Sequence, residues 1–151
     1  MSQINRRSVV RGAAWSVPVV AAAAHAPAYA ASTDAPAIPN AGAFSVCRNT
    51  GEGQSCQGYR FTLALSVQPS DTWDIVLTDV RIGGAQLLLA TTPREFAVTA
   101  TSNVITFDVC GNFSASQISF TLKYSATNRR TVVTTTDLGG TYAISGIKQC
   151  A

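Results

Sequence analysis

Four aspartates, Asp71, Asp74, Asp79 and Asp108, are the side chains best suited by type to acid–base chemistry in this chain. Two carboxylates flanking a bound sugar could split a glycosidic bond, one as acid and the other as base or nucleophile. Their settings read otherwise. Asp71 follows Gln68-Pro69-Ser70 in a turn, and Asp108 alternates with Phe107 and Val109, which predicts a side chain on the outer face. All four are expected to be turn and solvent-face residues. Ser145 and Lys148 have the spacing in which a lysine one helical turn away activates a serine nucleophile. Here the segment has strand character, where positions three apart point to opposite faces. The sole histidine, His25, lies in a segment expected to be removed, so a Ser-His-Asp or Cys-His arrangement cannot form in what remains. No catalytic residue, cofactor-binding residue or metal ligand is expected, and the chain is read as a non-enzyme.

The cysteines are the other reactive set: Cys47, Cys56, Cys110 and Cys150. A zinc site would favour pairs about two to four residues apart, a spacing these lack. An even count in an exported domain reads as two disulfides. Four cysteines allow three connectivities. The spacing points to Cys47–Cys56, closing the polar loop of residues 48–55 (RNTGEGQS), and to Cys110–Cys150, stapling the C-terminus to a central strand. The crossed pairings are the alternatives.

Export itself is read from residues 1–30. Arg6, Arg7 and Arg11 form a basic start with no acidic residue. An alanine-rich apolar stretch over residues 13–26 follows, interrupted by Ser16, Pro18 and His25. Ala28-Tyr29-Ala30 places small residues where a signal peptidase cuts, so cleavage is expected after Ala30. The apolar stretch is too short for a membrane span, and a retained helix is not expected. The run Asn5-Arg6-Arg7-Ser8-Val9-Val10-Arg11 resembles a twin-arginine translocation signal, an address read by a receptor; an ordinary secretory signal is the alternative. The whole string RRSVVRGAAWSVPVVAAAAHAPAYAAS resembles the leaders of small exported actinobacterial proteins. That resemblance implies a bacterial envelope or secreted protein, with the twin-arginine translocase and signal peptidase as partners during export. It implies no activity and no site residues.

Without the leader the charge balance changes. Its three arginines account for the formal charge of +3, and residues 31–151 carry eight basic and eight acidic side chains. A nucleic-acid surface is not indicated. No lipobox cysteine follows the leader and no apolar tail closes the sequence, so the product is expected to be released or held non-covalently, without a membrane span.

Residues 31–43 (ASTDAPAIPNAGA) read as a linker, broken by Pro36, Pro39 and Gly42. Residues 44–151 read as one domain of strands. Tyr59, Phe61, Leu63, Leu65 and Val67 alternate with small or polar residues, and so do Ile118, Phe120, Leu122 and Tyr124. In residues 72–82 the apolar parity switches between Leu77 and Val80, which predicts a bulge near Thr78. Residues 86–91 read as a short strand, and residues 95–100 and 104–109 as a hairpin. Arg129-Arg130 reads as a solvated hairpin turn, residues 131–136 as a threonine-rich strand, and Asp137-Leu138-Gly139-Gly140 as a further turn before residues 142–148.

Seven to nine strands with polar turns predict an all-β, immunoglobulin-like antiparallel sandwich, with a small barrel as the alternative. The expected core includes Phe61, Leu63, Leu65, Ile105, Phe107, Ile118, Phe120, Leu122 and Ile144, and Trp73 is read as core rather than as a sugar-stacking platform. The function these features support is a secreted, non-catalytic module for an envelope or protein partner, using the loop at residues 48–55 or the strand at residues 131–136. The alternatives are a structural subunit of a surface layer or fibre, whose edges pair between copies, and a small secreted hydrolase.

Overall fold

The computed structural model describes residues 34–51, 56–68 and 70–151, apart from the side chain of Leu89. The leader, with Arg6, Arg7, Ala28 and Ala30, lies outside the described residues, as do residues 31–33 of the linker. The chain folds as an antiparallel β-sandwich. One sheet has the order β10-β1-β2-β7-β5, built from β1 (Phe44–Thr50), β2 (Gln57–Ala64), β5 (Thr91–Thr92), β7 (Val104–Cys110) and β10 (Lys148–Gln149). The other has the order β4-β3-β8-β9, from β3 (Trp73–Ile82), β4 (Ala85–Gln86), β8 (Ile118–Asn128) and β9 (Thr134–Ile144), with β6 (Glu95–Val98) also paired to β3. Every pairing is antiparallel except β1 with β10.

The alternation seen in the sequence is what closes the core. β8 buries Ile118, Phe120, Leu122, Tyr124 and Ala126 on one face, and β2 and β7 answer with Phe61, Leu63, Ile105, Phe107 and Val109. Phe61 stacks on Phe107 within its own sheet at 5.3 Å and meets Phe120 of the opposing sheet edge-on at 4.9 Å. Trp73 is buried among them. Of the expected core residues, only Ile144 is partly exposed, because β9 is an edge strand whose inner face is half-covered. The bulge falls at Thr78, where the β3–β8 register shifts between Leu77 and Asp79, so that Trp73, Ile75 and Leu77 before it and Val80 and Ile82 after it all reach the core.

Several local expectations are corrected. Residues 95–100 and 104–109 are not a hairpin. β6 pairs with β3 and β7 pairs with β2, so residues 99–103 cross from one sheet to the other. Asn103 anchors that crossing by donating from Nδ2 to the Leu65 carbonyl at 2.6 Å. Residues 86–91 are another crossing: a 3-10 turn at Leu88–Ala90 links β4 in one sheet to β5 in the other.

Asp137-Leu138-Gly139-Gly140 is no turn either, since β9 continues through it. Thr136 and Asp137 together face Ser125, which makes a bulge, and Asp137 takes φ 58°. At Gly139 φ is +95°, and a Cβ there would lie 2.1 Å from the Leu122 carbonyl oxygen. The residue types that favour left-handed backbone thus serve a kinked strand rather than a chain reversal. The linker is partly fold: Ala37 bridges to Ser66, and the buried Tyr124 hydroxyl donates to the Pro36 carbonyl at 2.5 Å.

The disulfides are Cys47–Cys150 and Cys56–Cys110, one of the crossed pairings. Register explains why the expected bridges do not form. Cys47 lies opposite Arg60 in the β1–β2 ladder, four residues along β2 from Cys56, a separation of about 13 Å at strand rise. β10 instead lies parallel beside β1, with Cys47 opposite Lys148 and the Cys150 amide donating to the Arg48 carbonyl. Gly58 lies opposite Cys110, which brings Cys56 to the end of β7. All four cysteines belong to strands of one sheet or the segments flanking them, so neither bridge joins the two sheets.

Candidate functional site

The register sorts the connections into two ends of the sandwich. Trp73 at the start of β3 lies opposite both Val98 and Asn128. Residues 65–72, residues 99–103 and the β8–β9 hairpin tip therefore share one end. At the other end lie the two disulfides, the segment between β7 and β8, and the segment between β9 and β10.

The tip is organised by one buried amide. Asn128, fully buried, closes the hairpin through its backbone: its N–H donates to the Val133 carbonyl at 2.9 Å, and its carbonyl accepts from Val132 at 2.8 Å. Its side chain does the rest. Oδ1 accepts from the amides of Arg130 and Thr131 at 2.9 and 3.2 Å, and Nδ2 donates to Asp71 Oδ2 at 2.9 Å. Asp71 is 3 % exposed and also accepts from Arg130 Nε at 3.0 Å. Arg129 is held by Asp74, through Nε at 2.9 and 3.0 Å and Nη2 at 2.6 Å. The Arg130 and Asn128 donors hold the Asp71 carboxyl below the usual carboxylate range, and Arg129 does the same for Asp74.

This frame presents apolar side chains to solvent. Val132 is 78 % exposed and Val133 54 %. Val132 also takes φ 58°, a left-handed conformation that a β-branched residue adopts at a cost. Val104, 55 % exposed, begins β7 at this same end, one residue after the 99–103 crossing. These three are the large exposed hydrophobic residues among the described ones.

At the opposite end Arg48 donates from Nη1 to the Ser114 carbonyl at 2.9 Å, and Phe113 stacks on Tyr59 at 5.6 Å. Arg48, Gln57, Phe113, Ser114 and Gln149 line a cleft of about 220 Å³. Of the expected contact loop at residues 48–55, Arg48, Asn49 and Thr50 complete β1, and residues 52–55 lie outside the described residues. A second cleft, of about 350 Å³, is lined by Ile118, Ala143 and Ile144 with Gln117, Ser119 and Ser145.

Each of the four aspartates is paired with an arginine of its own. Asp79 pairs with Arg81 at 2.8 Å, and Asp108 with Arg60 at 2.8 Å while accepting from Asn49 at 3.1 Å. Two of them are buried rather than solvent-exposed: Asp71, and Asp108 at 5 %. For Asp108 the expected face is right, opposite to the buried Phe107 and Val109. What alternation cannot show is the cover, and here Arg60 from the neighbouring β2 and Asn49 from β1 beyond it bond to Asp108 on the outer face. Arg129 and Arg130 likewise sit in the hairpin turn but are tied to carboxylates rather than freely solvated. Ser145 follows β9 and Lys148 opens β10 in the other sheet, so they share no helical turn. The strand begins at Thr134 rather than Thr131; the Thr134 hydroxyl pairs across to Thr127 at 2.8 Å, as does that of Thr141, further along β9, to Thr121 at 2.9 Å.

Sequence reading missed the Asp71–Asn128 pair. Its trace is the asparagine placed just before Arg129-Arg130, since asparagine in a turn accepts from amides two and three residues on. Among the described residues no three His, Cys, Asp or Glu side chains gather as a metal site, and no helix is long and apolar enough to cross a membrane. Comparison with protein-family models, curated proteins and solved structures finds no match to this chain.

Proposed function

We propose that the protein is a secreted, non-catalytic module that contacts an envelope or protein partner through the β8–β9 hairpin tip. The observation that carries this reading is the exposure of Val132 and Val133 on a turn fixed by the buried Asn128 and Asp71. A polar network with no exposed purpose of its own holds two apolar side chains in water, one of them in costly backbone. Such features concentrate at contact sites on loops carried by a rigid scaffold. The two disulfides suit an oxidising compartment, which supports export by the leader. Replacing Arg6 and Arg7 with lysine is expected to leave the precursor inside the cell; undiminished secretion would exclude the twin-arginine route.

The alternative, a structural subunit, has one observation for it and one against its simplest form. β9 is an edge strand of 11 residues, long enough to template pairing. Its bulge at Thr136 and Asp137, with Asp137 paired to Lys123 at 3.1 Å, interrupts that edge. Bulges and charges of this kind discourage lateral strand pairing.

Co-sedimentation with isolated cell envelope tests the binding reading. The mature protein is expected to bind, and Val132→Asp with Val133→Asp to weaken binding at least tenfold without lowering the melting temperature. Equal binding by that variant would reject the tip as the contact surface.

A further inference from the structure

Three arginines of this domain, Arg60, Arg129 and Arg130, turn the Nε–Nη2 edge of the guanidinium to an aspartate. That edge is a planar fork that a carboxylate meets with both oxygens. Arg48 differs. It donates from Nη1 to the Ser114 carbonyl, and among the described residues no carboxylate pairs with it. Its Nε is closed off from water and has no acceptor. A charged donor left in this state is costly, so the side chain calls for an acceptor that the fold itself does not supply.

The cleft of about 220 Å³ that Arg48 lines shows what that acceptor belongs to. Thr50 lies opposite Gln57, and Arg48 lies opposite both Tyr59 and Gln149. Residues directly opposite share a face of the sheet, as do residues two apart on a strand. Tyr59 is in the core. Arg48, Thr50, Gln57 and Gln149 therefore stand together on the inner face, at the end of the sheet. Ser114 and the Phe113 ring, stacked on Tyr59, complete the lining from the segment between β7 and β8. Among the described lining residues Arg48 carries the only charge, and Thr50, Gln57, Ser114 and Gln149 offer neutral groups that both donate and accept.

We propose that this cleft binds one acidic sugar residue, with its carboxylate on the Nε–Nη2 edge of Arg48 and its hydroxyls on the amides of Gln57 and Gln149. Because Nε is covered in the free protein, binding includes a rearrangement of the side chains over it. The size agrees: pockets for larger ligands run to about 300–1,000 Å³, and this one has room for a single ring. The lining separates a sugar acid from a peptide C-terminus. A peptide end brings a side chain that needs an apolar pocket, and Phe113, the one apolar side chain here, is already stacked on Tyr59. The site lies at the opposite end from the hairpin tip and does not rest on it.

Titration of the oxidised, nitrogen-15-labelled mature protein with sodium glucuronate, followed by amide NMR, tests this. The Arg48, Gln57 and Gln149 signals and the Arg48 Nε–H are expected to shift saturably in the millimolar range, as suits so small a ligand. Glucose and sodium acetate at the same ionic strength are expected to bind at least tenfold more weakly. Arg48→Gln should lose binding at least tenfold. Gln57→Glu, at an exposed position, places a carboxylate in the cleft to compete for Arg48 and should do the same, which keeps the test decisive if Arg48→Gln does not fold. Val132→Asp with Val133→Asp should bind glucuronate as the parent does, so failure here is distinct from failure of the tip. The absence of a saturable shift, glucose or acetate binding as tightly as glucuronate, or undiminished binding by the folded variants would each overturn the proposal. Tighter binding of N-acetyl-glycyl-glycine than of glucuronate would assign the cleft to peptide termini and overturn the sugar reading.

Discussion

The two ends of the sandwich are fixed by different chemistry. At the disulfide end, Cys47–Cys150 and Cys56–Cys110 tie β10, β1, β2 and β7 together covalently, and Arg48 and Phe113 pack the intervening segment. At the tip end no covalent bond acts. There Asp71, Asp74 and Asn128 hold the hairpin through charge-assisted hydrogen bonds. A disulfide restrains a chain whether or not nearby groups are ionised, but it depends on redox state. A carboxylate pair has the opposite dependence. One domain thus carries a hairpin tip held by ionised groups and an opposite end held by redox-sensitive bridges, joined by an apolar core.

The largest effect should come from reduction. The loops closed by Cys47–Cys150 and Cys56–Cys110 span 103 and 54 residues, and chain-entropy scaling assigns about 4–5 kcal/mol to closing either one. Reduced protein is expected to melt far below the oxidised form in calorimetry, and an unchanged melting temperature would remove the disulfide end's distinction. Mass spectrometry of unreduced peptides should show Cys47 joined to Cys150; a Cys47–Cys56 peptide would refute the register derived for β1 and β2.

Phe120→Ala comes next and should act on both ends alike. Its ring is buried where the sheets meet, and its loss is expected to cost about 3–5 kcal/mol in urea unfolding. Asn128→Ala should act on the tip alone. It strands the Arg130 and Thr131 amides and withdraws a donor from Asp71, at a cost of about 2 kcal/mol, without changing the disulfide pairing.

The smallest effect is the most discriminating. Val132→Gly relieves a left-handed β-branched residue and should stabilise the protein by up to about 1 kcal/mol while weakening any contact the valine makes. A destabilised Val132→Gly variant would mean that the side chain packs within the molecule.

How much of this could be read from sequence differs between the ends for a physical reason. The core was legible because alternation along Tyr59–Val67 and Ile118–Tyr124 is a local pattern imposed by burial on one face. The bulge at Thr78 was legible for the same reason, as a change of parity. Partners distant along the chain were not. The pairing of Cys47 with Cys150 depends on β10 lying parallel to β1, and two residues of strand carry no pattern to announce it. The crossing at residues 99–103 resembles a hairpin locally, because Thr-Ser-Asn turns a chain whether it returns to its own sheet or passes to the other. Asp71 and Asp108 look like surface residues until the arginines and asparagines that cover them are in place.

The central claim, that the tip is held by carboxylates and the opposite end by disulfides, has a direct test in amide NMR spectra of the oxidised protein during acid titration. The sign follows from the lowered values of Asp71 and Asp74. Unfolded aspartate titrates near about 3.9, so the stabilisation from these pairs is complete above that pH and is lost as the pH falls through the lower folded values. Asp74 and its partner are half-exposed, so its share is reduced by solvent screening. The account predicts that the Arg130, Thr131 and Val132 amide signals shift together with a midpoint below about 3.9, while those of Gly111 and Phe113, next to the Cys56–Cys110 bridge, stay in place until reductant is added. Tip signals that titrate at the ordinary aspartate value, or that move only when the disulfides are reduced, would contradict it.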